Sequence, residues 1–147
     1  SPNNITVAIF CALVEESVAV RYTLDEEFTC KPSGKQSYVY KYGRIGDHRV
    51  IIAEPVEMGA VNAAHCAAHV SQQFPNVRLA LMVGIGAGIP SNQLDIRLGD
   101  IAISVPRDDQ PGVLQYDFGK YEDSGFARKG VLNKPPRVLL SAIHSLE

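Results

Sequence analysis

The sequence predicts an α/β domain with a mostly parallel sheet, and three observations carry that expectation. Strand-sized apolar runs recur at 5–11 (ITVAIFC), 77–83 (VRLALMV) and 100–105 (DIAISV), and continuous runs of this kind mark strands covered on both faces. Segments of helical period stand between the first two, the alternation that builds parallel sheets. One pair of strand-like runs closes on a short turn, so a single antiparallel hairpin joins the set. The 147 residues suffice for one domain with a core and are too few for two ordinary ones.

Each element has its own signal. After the strand at 5–11, LVEESVAVRYTLDEE (13–27) reads as a helix. Val14, Val18 and Tyr22 recur every four residues, and Glu15 and Glu16 sit in the first turn, where the helix dipole favours acids. KPSGK is a loop. SYVYKYGRIGDHRVIIAEP (37–55) reads as two strands around Gly46-Asp47, residue types that tolerate unusual φ. Residues 58–74 form the clearest helix, with Ala60, Ala63, Ala64, Ala67, Ser71 and Phe74 on one face, which implies close approach to a sheet. Pro75-Asn76 ends it, and strands at 77–83 and 100–105 follow. Residues 106–134 read as irregular, long for a loop in a compact domain. A last helix is entered from Pro135, with Val138, Leu139 and Ala142 apolar.

Composition narrows the function classes. A hydrophobic fraction of 46% and a charged fraction of 20% belong to a soluble globular protein. A net charge of −2 offers no basic surface for nucleic acid or an anionic membrane. The apolar runs are too short for a transmembrane helix. The first residues, SPNN, lack the positive charge of a signal peptide. Cys11, Cys30 and Cys66 show no metal-type spacing, and an odd, sparse set fits a reducing cytoplasm.

The run LMVGIGAGIPSNQLDIRLGD (81–100) carries Gly84, Gly86 and Gly88 directly after a buried strand. A dinucleotide fingerprint needs G-x-G-x-x-G opening a helix. Here the spacing is G-x-G-x-G, and Pro90 precedes a segment without helical period. There is no GK[ST], so the phosphate loop of the ATPases is excluded as well. What remains is a strand end stripped of side chains, either to let a ligand touch bare backbone or to turn a corner. Ligands of open α/β sheets sit beyond the carboxyl ends of strands, where this run lies.

Five stretches together resemble the purine and uridine phosphorylase superfamily, which includes the methylthioadenosine/adenosylhomocysteine nucleosidases. They are VAIFCALVEES (7–17), EMGAVNAA (57–64), LALMVGIGAGIP (79–90), LGDIAIS (98–104) and, closer to a fungal branch, QYDFGK with GFARKG (115–130). That branch fuses such domains to a NACHT-type NTPase and to ankyrin or tetratricopeptide repeats. The resemblance implies a three-layer α/β/α sandwich over residues 1–147, corresponding to the N-terminal half of a nucleoside phosphorylase-like domain. It implies cleavage of the bond between ribose and base in a purine nucleoside, in a homo-oligomer, with phosphate or water as the second substrate and no other cofactor.

Residue by residue, the resemblance places the water-positioning glutamate at Glu16, whose other reading is a first-turn helix acid. Gly86 and Ala87 would lie flat against base and ribose. Ile85 stands where many members carry serine, and an isoleucine cannot donate that hydrogen bond to phosphate, which leans the reading toward hydrolysis. Met58 and Gly59 match a ribose-side segment, although Met58 alone could be core. Tyr116 and Phe118 fall where relatives place aromatics that cover the nucleoside. The base-protonating aspartate and the ribose-gripping Met/Glu pair of the family lie in a C-terminal half that does not appear in these 147 residues. The chain alone is therefore expected to be inactive, since each such group is commonly worth ~10²-fold or more in rate. The rival reading is a nucleoside-binding or oligomerising module without chemistry. His65 and His69, four apart on the second helix, have the spacing of a two-histidine metal site, but are expected on a solvated face opposite the alanines.

Overall fold

Val7–Phe10 forms the inner strand β1, flanked on both sides by parallel neighbours. The computed structural model describes residues 1–30, 37–92, 94–108, 110–116, 119–123, 125–130 and 132–146. They fall into two compact units, Ser1–Ala87 and Gly88–Glu147.

In the first unit β1 is followed by α1 (Val14–Tyr22), β2 (Glu26–Phe28), β3 (Tyr40–Ile45), β4 (His48–Ala53), α2 (Ala60–Gln73) and β5 (Leu79–Met82). The strand order is β2-β3-β4-β1-β5. The β1–β4 and β1–β5 pairings are parallel, whereas β2–β3 and β3–β4 are antiparallel. The sheet is thus mixed, not mostly parallel. Part of the reason is that the first helix is shorter than its pattern. Thr23 stops it by turning its hydroxyl onto the Val20 carbonyl (2.7 Å), and Glu26–Phe28 then adds an antiparallel edge to β3. The hairpin at Gly46-Asp47 forms as expected. Ile45 pairs with His48, and Gly46 has φ +56° while Asp47 does not enter the positive region, the pattern of a type II′ turn.

Side chains alternate across the strands, and two apolar clusters result. Val7, Ile9, Val50 and Ile52 join Cys11, just after β1, and Val20 of α1. Ala8, Tyr40, Tyr42, Ile51 and Ala53 join Cys66 and Val70 of α2, with Phe74 beyond its end. Successive strand residues point to opposite faces, so the two helices contribute to opposite faces of the sheet. Each fully buried aliphatic or aromatic side chain contributes about 1.5–3 kcal/mol, and this unit holds all the fully buried ones among the described residues.

Both helices bury a different face from the one their apolar spacing suggests. α1 buries Glu16, Ser17 and Val20, leaving Val14, Val18 and Tyr22 exposed. α2 buries Cys66 and Val70. Of the stripe expected to face the sheet only Phe74, just past the helix end, is buried and Ala63 is half-buried, whereas Ala60, Ala64, Ala67 and Ser71 face outward. An alanine stripe carries little apolar area per residue, so the larger Cys66, Val70 and Phe74 side chains, spaced by four, win the contact with the sheet.

The second unit contains a hairpin of β6 (Gly119–Glu122) and β7 (Gly125–Arg128), then α3 (Arg137–His144). The hairpin falls inside the stretch read as irregular. Residues 100–105 form no strand, and Ile101 and Ile103 are exposed. A β-branched run becomes a strand only where another backbone pairs with it. Pro136 is the N-cap of α3, in keeping with entry through the Pro135-Pro136 pair. Among the described residues no helix is long and apolar enough to cross a membrane.

Candidate functional site

The carboxyl ends of β1, β4 and β5 bring Cys11, Glu54 and Ile85 to one edge of the first unit. The turn from β1 into α1 carries Glu16 into the same place. Glu16 is the third residue of α1, and from there its side chain reaches back to the exposed amides of the turn. Its Oε2 accepts the N–H of Ala12 (2.8 Å) and of Leu13 (2.9 Å), and its Oε1 accepts the N–H of Ile85 (2.9 Å). The residue is 6% exposed. The Ile85 amide, then the Leu13 amide, hold the carboxyl below its ordinary value against the opposing effect of burial, as several N–H donors on one carboxylate do.

Gly84 makes this contact sterically feasible. A Cβ there would lie 3.0 Å from Glu16 Oε1, tighter than ordinary van der Waals contact. One glycine of the run therefore lets a side chain of the same chain approach the strand end. A Cβ on Gly86 would meet open space.

Beside Glu16, the Ser17 hydroxyl donates a short hydrogen bond to Glu54 Oε1. The buried Cys11 thiol is pushed up to about 11, by burial first and then by the Glu16 and Glu54 carboxylates. It is consequently a protonated, weakly nucleophilic thiol at neutral pH. Glu54 and Ser17 were not legible as site residues. A glutamate after a strand and a serine in a helix carry no spacing signal until the sheet aligns their chain segments.

The structure brings together Glu16 and Ile85 among the expected residues, through the Ile85 backbone, while the Ile85 side chain is 73% exposed. Gly86 and Ala87 are exposed just beyond. Met58 is 68% exposed and so is not core. Its carbonyl accepts from the Asn62 side chain (3.4 Å). Gly59 is the N-cap of α2 with φ +117°, a conformation that favours glycine. Tyr116 belongs to the second unit and is exposed. Phe118 lies outside the described residues.

Of the two histidines of α2, His65 is exposed, as expected, and His69 is half-buried, but both also touch Tyr38. His65 Nδ1 hydrogen-bonds the hydroxyl of the buried Tyr38 (2.7 Å), and the His69 ring packs against Tyr38 with centroids 5.4 Å apart. Among the described residues no group of three or more His, Cys, Asp or Glu side chains could hold a metal ion.

No family model matches the chain. A nucleotide-binding leucine-rich repeat (NLR)-like protein of Hyaloscypha variabilis is 44% identical over 151 residues, covering 99% of this chain. The chain spans 15% of that protein's length. Among solved structures, an MTA/SAH nucleosidase of Streptococcus pneumoniae in complex with 8-aminoadenine is 23% identical, with a TM-score of 0.44 over 53% of this chain and 32% of that one. The chain is thus similar over nearly its whole length to a segment of a fungal NLR-like protein.

Proposed function

We propose that this chain is part of a nucleoside-recognising α/β domain of the purine and uridine phosphorylase type, a three-layer sandwich carried within a larger NLR-like signalling protein. The observation that supports this reading best is the docking of Glu16 onto the Ile85 amide. It places an ionised carboxylate, at the first strand-to-helix turn, directly against the glycine-rich end of a neighbouring parallel strand. That is the end of an open α/β sheet at which ligands bind. In this reading Gly86 and Ala87 offer flat backbone to the nucleoside. The larger protein cleaves the N-glycosidic bond with water, and Glu16 supplies negative charge near a sugar that becomes cationic in the transition state.

A second reading is favoured by the same carboxylate. Three backbone N–H groups occupy it, and a depressed pKa makes a weaker base. Under this reading the domain binds nucleoside without cleaving it, and Glu16 shapes the site. Chromatographic detection of free base separates the two. The chain and the longer protein are each incubated with adenosine, methylthioadenosine, inosine and uridine, with and without phosphate. Base release by the longer protein without phosphate, lost in Glu16→Gln, supports hydrolysis. Nucleoside binding by calorimetry with no base released supports the binding module. Neither binding nor release overturns the nucleoside reading itself.

A further inference from the structure

The opposite end of the same sheet carries a second arrangement that the nucleoside reading does not use. There Thr6 donates its N–H to the Arg49 carbonyl (3.1 Å), and Arg78 donates its N–H to the Thr6 carbonyl (2.9 Å). Arg49, Thr6 and Arg78 thus stand side by side, one residue before the Val50, Val7 and Leu79 register of β4, β1 and β5. Positions aligned across a sheet project to one face. Two strand spacings put the arginine Cα atoms about 10 Å apart, with Thr6 between them.

A cleft of about 410 Å³ opens at these residues, and Asn3, Asn4, Asn76 and Asp47 complete its lining. Asn76 is fixed there by its side-chain amide, which donates to the Asn3 carbonyl (2.8 Å). The Arg49 guanidinium lies 5.7 Å from the Phe28 ring centroid, which steadies the side chain without satisfying its charge. Arg21, Arg44 and Arg97 each meet a carboxylate. Among the described residues neither Arg49 nor Arg78 has an ion pair or a side-chain hydrogen bond.

We infer that this cleft binds a compact polyanion of the diphosphate class, one phosphoryl group to each arginine. The guanidinium fork matches phosphoryl oxygens in bidentate fashion, and the Thr6 hydroxyl and asparagine amides add neutral donors between the two charges. The separation of the arginines selects two linked phosphoryl groups over a single one. Asp47 opposes the anion and sets a ceiling on affinity, because its carboxylate shares the lining.

Inorganic pyrophosphate is the probe, with orthophosphate and adenosine diphosphate as companions, in the whole chain at physiological ionic strength. The NMR signals of Thr6, Arg49, Asn76 and Arg78 are expected to shift saturably with pyrophosphate and about tenfold less tightly with orthophosphate. Adenosine diphosphate binding as pyrophosphate does assigns the site to the phosphoryl groups alone; tighter binding assigns it to a nucleotide. Arg78→Gln and Arg49→Gln should each weaken binding by about tenfold or more, the scale of one charge-assisted hydrogen-bond pair. Arg78→Lys should recover only part, and Asp47→Asn should tighten binding. Both arginines are exposed, so unchanged core signals from Val7 and Ile51 verify that the variants fold. Non-saturating shifts, equal shifts at Arg21 and Arg44, or an affinity indifferent to Arg78→Gln would overturn the inference.

Discussion

Glu16 ties three pieces of chain together, since one carboxylate joins the end of β1, the start of α1 and the end of β5 through backbone amides. Its pKa is lowered in the folded protein. The stability it contributes is therefore fully present above the ordinary carboxylate range, and is lost as pH falls through that range to the folded value. Glu16→Gln leaves one of the amides facing an NH₂ group, so it should cost about 1–3 kcal/mol at neutral pH. The difference from the parent should shrink as acid protonates Glu16. Urea denaturation at pH 7 and pH 3 checks both statements, and a gap that stayed constant with pH would show that the carboxylate charge plays no part.

The two helices of the first unit show how an element's rotation is chosen. α1 is turned so that Glu16 and Ser17 face inward, where Ile85 and Glu54 receive them, although this exposes Val14, Val18 and Tyr22. α2 is turned by Cys66, Val70 and Phe74, and by the contact of His65 and His69 with Tyr38. The energetic consequence is a strong asymmetry between neighbouring positions. Ala67→Lys lies on the outward face and should change stability by less than about 0.5 kcal/mol. Cys66→Lys puts an unpaired charge into the cluster and should cost about 3 kcal/mol or more. Thermal melts of the pair decide between the two faces of α2, and the reverse ranking would restore the alanine face as the buried one.

Across the whole molecule, the two edges of the five-stranded sheet differ in kind. β2 presents Glu26 and Glu27, charges of the sort that discourage pairing with another chain. β5 presents Leu79–Met82 with no charge, and Met82 is exposed. An unpaired apolar edge is a template for another strand, so the isolated chain should self-associate with rising concentration. Met82→Lys should abolish that association in analytical ultracentrifugation. A parent chain that stays monomeric at high concentration would rule out β5 as the contact.

By itself the sequence determined where the strong elements lie and what they cannot be. β1, the β3–β4 hairpin, α2, β5 and α3 are legible because apolar runs, a Gly-Asp turn and proline boundaries act within a few residues of themselves. The same local reasoning excludes a phosphate loop at Gly84–Gly88. It also marked the glycine-rich strand end as a place for a ligand, whereas Glu16 stood out from other first-turn acids only through the family resemblance. Tertiary structure decided the rest, because each remaining feature depends on a partner distant in sequence. β2 exists through β3, and residues 100–105 lack such a partner. The helices were rotated by contacts to Ile85, Glu54 and Tyr38. Ser17 became a donor to Glu54, and Arg49 and Arg78 became neighbours, only when β1 was laid between β4 and β5. Spacing along a chain reports which residues can share a face, and packing free energy summed over distant partners chooses the face.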